Sequence, residues 1–230
     1  MAVDRLVHGH ARFSREHLPA ARPLLERLAD GQEPLAVVVC CSDSRVIPEW
    51  ITASGPGSLF VLRNVGNLVP LPDEGHASVG AGLEYAVAHL GVQALIVLGH
   101  DGCGAMKAVR AAELSGQATE GVLGAWLSHA HASWAEAEHA GAKDDDAGLK
   151  LLVEENVLQQ LAHALEWPTV ARAVEAGKLT LHAWVYDLTD GKLRFWDAAA
   201  GAFVPAEVGG TGKISAAEVV ANDHVGDEAS

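Results

Sequence analysis

The chain has 230 residues, of which 49% are hydrophobic and 20% charged, a balance that fits one globular domain with appendages and excludes wholesale disorder. Its 30 acidic side chains outnumber 16 basic ones for a formal charge of -14, which argues against nucleic acids and anionic membranes as partners, since both need a basic surface. Three cysteines, Cys40, Cys41 and Cys103, are too few and too oddly placed for a secreted disulfide framework and predict a reducing, cytoplasmic setting.

The segment Met1–Arg5 lacks the basic start and apolar core of a signal peptide, and no apolar run reaches bilayer length, so a soluble, unprocessed chain is expected. Residues 3–30 carry apolar side chains at helical spacing, broken by Pro19 and Pro23, and predict two helices forming an N-terminal arm over 1–30. Leu35 to Cys41 is a continuous β-branched run, the pattern of a strand covered on both faces in a parallel sheet. A second short strand is predicted at 59–62, and an amphipathic helix at 78–90 from Val79, Leu83, Ala86, Val87 and Leu90. Ala94 to Leu98 repeats the buried-strand pattern, followed by a glycine-rich turn over 99–104 and a helix over 105–114. Residues 121–177 read as helical, with the triplet Asp144-Asp145-Asp146 as a solvated loop or helix N-terminus. Leu179 to Leu188 alternates as a half-buried strand, and the turn Asp190-Gly191 leads into an antiparallel edge strand at 193–196. Beyond Pro205 little apolar surface remains, so 206–230 is expected to be a loosely held tail behind a single domain over 1–205. The whole predicts an α/β fold on a mostly parallel sheet, with ligands at the carboxyl ends of the strands.

The chemistry sits at those ends. Cys41 closes the first strand, and His100 and Cys103 lie in the turn after the third. Two thiolates and one imidazole form a zinc ligand set, and three protein ligands leave the fourth position to water, as catalytic zinc sites do. Gly99, Gly102 and Gly104 are expected to let the backbone turn tightly there. Cys40 points to the opposite face of an extended strand from Cys41 and is assigned to packing.

The runs Cys41-Ser42-Asp43-Ser44-Arg45, Phe60-Val61-Leu62-Arg63-Asn64-Val65-Gly66-Asn67, Glu84-Tyr85-Ala86-Val87 and Gly99-His100-Asp101-Gly102-Cys103-Gly104, in that order and spacing, resemble the β-class carbonic anhydrases. Residues 35–110 carry the close match, and Leu181 to Tyr186 fits the family's later strand. The resemblance implies one zinc ion per chain on Cys41, His100 and Cys103, a catalytic dyad of Asp43 and Arg45, and reversible hydration of carbon dioxide to bicarbonate and a proton by zinc-bound hydroxide. Chemically, Asp43 can accept the hydroxide's proton in a hydrogen bond, and Arg45 can hold that carboxylate bidentately.

Carbon dioxide needs little beyond a small apolar recess, for which Phe60, Val65, Leu83 and Tyr85 are candidates, with the backbone N–H of Gly104 meeting a substrate oxygen. The family completes this pocket across a subunit interface, which implies a homodimer or homotetramer. An accessory bicarbonate site found in some members uses a Trp where this chain has Val38, together with an Arg and a Tyr that correspond to Arg63 and Tyr186. With the Trp missing and Cys40 where a Gly is usual, an unregulated enzyme is expected. The remaining histidines read as surface or structural. Two other functions fit the same residues: hydrolysis of carbon disulfide or carbonyl sulfide on this scaffold, and a non-catalytic zinc-stabilised protein. The second leaves the Asp43–Arg45 pair without a role.

Overall fold

The computed structural model describes residues 1–74, 77–207 and 209–223. Two helices lead, α1 (Ala2–Glu16) and α2 (Leu18–Ala29), parting at His17. Pro19 stands in the first turn of α2, where its missing N–H costs no helical bond. Next come β1 (Ala36–Cys41), a single turn α3 (Pro48–Ile51) and β2 (Leu59–Asn64). The helix α4 (Ala77–Glu84) runs on as a π-helical turn, Tyr85–His89, and leads to β3 (Ala94–His100) and α5 (Gly104–Ser115).

The predicted helical region resolves into α6 (Gly121–Leu127), α7 (His131–His139), α8 (Asp146–Leu165) and α9 (Pro168–Glu175), with a 3-10 turn at Ser128–Ala130. The acidic triplet starts α8: Asp145 Oδ1 accepts from Gly148 N at 2.7 Å, an N-cap bond that satisfies an otherwise orphaned donor. Asp146 occupies the first turn, where the helix dipole favours a negative charge.

The sheet is completed by β4 (Thr180–Tyr186), β5 (Leu193–Asp197), β6 (Ala202–Pro205) and β7 (Lys213–Ile214). Its order is β2-β1-β3-β4-β5-β6, with β7 also paired to β4. The strands β2, β1, β3 and β4 are mutually parallel, as the alternation of strands with helices and the continuous apolar runs of β1 and β3 predict. From β1 the chain goes to β2 on one side and then crosses to β3 on the other, so the winding reverses between β1 and β3. A crevice for ligands opens at the carboxyl ends of such a pair.

Side chains alternate across β1 as a strand requires. Val37, Val39 and Cys41 join the large core with Leu152, Val153, Val157 and Leu161 of α8. Ala36, Val38 and Cys40 join a smaller cluster with Ile96, Leu98 and Tyr186 on the other face. The expected separation of the two adjacent cysteines is therefore observed.

Three expectations change. The strand at 179–188 is not half-buried: Leu181, Ala183 and Val185 face the large core, while His182 Nδ1 and Trp184 Nε1 on the other face both bond Thr211 O at 2.9 Å. Its alternation reflected polar tips satisfied by a loop rather than by solvent. The strand β5 forms the predicted antiparallel hairpin, but β6 pairs with its outer side, making the antiparallel edge two strands deep. The segment after Pro205 is not wholly loose, since β7 pairs with β4 and α10 (Ala216–Asp223) follows it. Ile214 and Val219 are buried in the large core, which fastens this segment; residues 224–230 lie outside the described residues. No helix among the described residues is long and apolar enough to cross a membrane.

Candidate metal centre

Cys41 ends β1, His100 ends β3 and Cys103 is the residue immediately before α5, so the switch between β1 and β3 assembles all three. Their ligand atoms lie within 4.8 Å of one another, and all three residues are buried. The Cys41 and Cys103 sulfurs are 4.0 Å apart, close to the roughly 3.8 Å separating two thiolates on a tetrahedral zinc with bonds of about 2.3 Å. His100 Nδ1 contacts Asp101 O at 3.1 Å and can only donate there, which leaves Nε2 with the free lone pair. That nitrogen is buried with no hydrogen-bond partner, which is unfavourable unless a cation accepts its lone pair. Zinc fits this donor set.

The thiol electrostatics agree. Burial pushes the Cys40 thiol up to about 12, consistent with a packing role. The hydrogen bond from Cys103, with the backbone N–H groups of Gly66 and Asp43, pulls the Cys41 thiol well below the ordinary thiol range against its burial. The same bond, together with burial, pushes Cys103 far above the ordinary thiol range, against backbone N–H groups of Ala105 and Met106 that favour its thiolate. A dication held by both sulfurs would need both as thiolates, so its binding would release the proton of their mutual hydrogen bond. Of the three glycines, only Gly102 has a positive φ, +68°. Gly99 serves packing instead: a Cβ there would lie 2.6 Å from Val157 Cγ2 on α8.

Asp43 and Arg45 form the expected pair. Arg45 Nε donates to Oδ1 at 2.9 Å and Nη2 to Oδ2 at 2.7 Å, and the Arg45 backbone N–H adds a bond to Oδ1 at 3.0 Å. These bonds hold the Asp43 carboxyl well below the usual carboxylate range. The carboxylate is turned to Arg45 and is not among the three clustered ligands.

The apolar candidates divide. Phe60 and Tyr85 pack with ring centroids 5.8 Å apart, and Tyr85 and Val65 are 46% and 43% exposed, so both are available to a recess or to a second subunit. Leu83 has no exposed surface and belongs to the core, not to an open recess. Gly104 opens α5, so its N–H is one of the first-turn donors that no helical carbonyl satisfies.

The sequence reading missed how the neighbouring loops are held. Arg63 donates to Cys41 O at 3.2 and 3.3 Å and to Asp43 O at 2.7 Å, so its guanidinium braces the ligand loop. Tyr186 is buried beside Cys40. Asn156, Gln160 and His163 share one face of α8 and bond Gly66 O, Val69 N and Val69 O at 3.1, 2.7 and 2.9 Å. They fix the segment whose Gly66 N–H supports Cys41. Amide and imidazole side chains on an otherwise apolar helix were the available signal.

The family model described as carbonic anhydrase matches residues 36–193. The chain is 43% identical over 199 residues to a carbonic anhydrase of Pseudomonas aeruginosa, covering 86% of this chain and 90% of that protein. It is 37% identical over 203 residues to carbonic anhydrase 1 of Escherichia coli O157:H7, covering 88% and 92%. Its fold is similar to that of the β-carbonic anhydrase CcaA, with a TM-score of 0.86 at 32% identity over 94% of this chain and 96% of that one. A tetrameric β-carbonic anhydrase of Sordaria macrospora gives 0.74 at 27% identity over 84% and 95%.

Proposed function

This chain belongs to the β-class carbonic anhydrases, and from that premise we propose that it reversibly hydrates carbon dioxide to bicarbonate and a proton, with Cys41, His100 and Cys103 holding a catalytic zinc ion. The observation that carries this reading is the buried three-donor cluster at the β1/β3 switch point, with an unpartnered His100 Nε2. When bound there, zinc lowers the pKa of a water molecule and so supplies hydroxide near neutral pH.

The protein's own groups do the rest. Asp43, kept ionised by Arg45, accepts a hydrogen bond from the attacking oxygen and turns a lone pair toward the carbon of the substrate. Because Arg45 occupies both carboxylate oxygens, it also restrains Asp43 from reaching the ligand cluster and filling its open side. Phe60, Val65 and Tyr85 offer an apolar surface suited to carbon dioxide, and the Gly104 N–H is a donor for a developing oxygen charge.

The open side of this surface is the ground for self-association as a dimer or tetramer. Neither α1 nor α2 buries a residue on its own chain, and Val3, Leu6 and Val7 are 67%, 73% and 62% exposed, which suits an arm laid on a second copy. All three cysteines are free, and ligand thiolates persist in a reducing cytoplasm.

As thiolates, Cys41 and Cys103 would neutralise the charge of a bound dication and leave it a weaker acid toward water than three neutral imidazoles would. Stopped-flow hydration of carbon dioxide is expected to rise from neutral into mildly alkaline pH. A flat profile across that range contradicts a titrating water at this centre. Carbonyl sulfide and carbon disulfide in the same assay are expected to be poor substrates, and a preference for either overturns the assignment of substrate.

A further inference from the structure

Two arginine–aspartate pairs flank the ligand cluster, and they differ in burial. The Arg45 side chain of the first is 61% exposed. In the second, Arg194 of β5 reaches Asp101, the residue between His100 and Gly102, with Nη1 to Oδ2 and Nη2 to Oδ1 both at 2.9 Å. Its Nη2 also donates to Glu154 Oε1 on α8 at 3.0 Å. The Arg194 side chain is only 11% exposed, and its partners Asp101 and Glu154 are 22% and 15% exposed.

We propose that Arg194 is a positioning residue for the metal centre, fixing the His100–Cys103 turn through a bidentate grip on Asp101 that is itself anchored by Glu154. The inference rests on the zinc reading above. Two of the three ligands lie on this one turn, and its backbone passes through Gly102 at a positive φ, so the turn has little intrinsic stiffness. Asp101 joins both ends of the device. Its carbonyl receives the His100 Nδ1–H, which orients the imidazole, and its backbone N–H donates to Tyr186 O at 2.9 Å. Its carboxylate is the only side-chain handle on the turn between the ligands.

The register Val185↔Arg194 puts Arg194 on the sheet face covered by α8, where Glu154 meets it. A planar guanidinium held at three oxygens cannot rotate, and a buried pair of this kind is screened little by solvent. The buried guanidinium thus holds the turn still.

The test is zinc affinity of the full chain, measured by competition with a chromophoric chelator, together with the thiolate absorption of the cobalt-substituted protein. Asp101→Asn and Arg194→Met are expected to weaken zinc binding by about 10- to 100-fold and to shift the cobalt bands. Arg194→Lys, which keeps the charge without the planar fork, should fall between these and the wild type. Asp101→Asn is nearly isosteric, so it remains informative if Arg194→Met fails to fold. Zinc affinities of Asp101→Asn and Arg194→Lys within about twofold of wild type, whatever their melting temperatures, overturn the proposal. A wild-type chain that binds no zinc overturns the metal-centre reading itself and this inference with it, so the two failures are distinguishable.

Discussion

Cys103→Ser is expected to release zinc and to reduce carbon dioxide hydration to the buffer background. The cluster offers three protein donors, and the substitution replaces a soft thiolate with a hydroxyl that stays protonated near neutrality. Zinc then keeps one thiolate and one imidazole, too few for a stable catalytic site. The fold should persist, because a serine fills nearly the same volume in a core that extends along both β1 and β3. Metal content after gel filtration and a far-UV circular dichroism spectrum check both halves of this expectation. Retention of stoichiometric zinc by the variant contradicts the ligand assignment. Cys40→Ser is the matched control: its thiol lies on the opposite face of β1 in the second cluster, so zinc content should not change.

Asp43→Asn is expected to keep its zinc and still lose on the order of 10²-fold or more in hydration rate, the usual contribution of a positioned proton-accepting group. The amide preserves shape, but one of its two atoms facing Arg45 becomes a donor opposed to a donor. The remaining oxygen is a weaker acceptor for the nucleophile's proton. The loss should appear in kcat rather than in zinc affinity, which separates this variant from Cys103→Ser. A variant with unchanged kcat shows that the dyad only closes the loop, and its bonds to the Arg45 backbone and side chain are then structural.

The parts of this site that sequence made legible are the ones governed by short-range rules. Strand alternation separates Cys40 from Cys41, and the continuous apolar runs of β1 and β3 place Cys41 and His100 at adjacent strand ends in a parallel sheet. The pairing of Asp43 with Arg45 was implied by the family resemblance, and their close spacing lets the carboxylate and guanidinium meet within one loop. What stayed hidden depends on long-range register. Arg194 lies far along the chain from Asp101, and only the β4–β5 pairing brings them together. The two-residue β7 has no strand signature of its own and exists because β4 offers it a partner. Leu83 matches the residue type of a pocket wall, yet the packing of α4 turns it wholly inward. Asn156, Gln160 and His163 interrupt the apolar pattern of α8, but the loop carbonyls and amide they serve are set by tertiary structure.

The claim on which the rest depends is that the Cys41–His100–Cys103 cluster is a catalytic zinc site. Its most direct test is to strip the wild-type protein with a chelator under reducing conditions, titrate zinc back and follow carbon dioxide hydration by stopped flow at mildly alkaline pH. Activity should be absent in the stripped protein, grow in proportion to added zinc and level off at one equivalent per chain. Full zinc occupancy with no hydration, or hydration that is indifferent to zinc, would contradict the account.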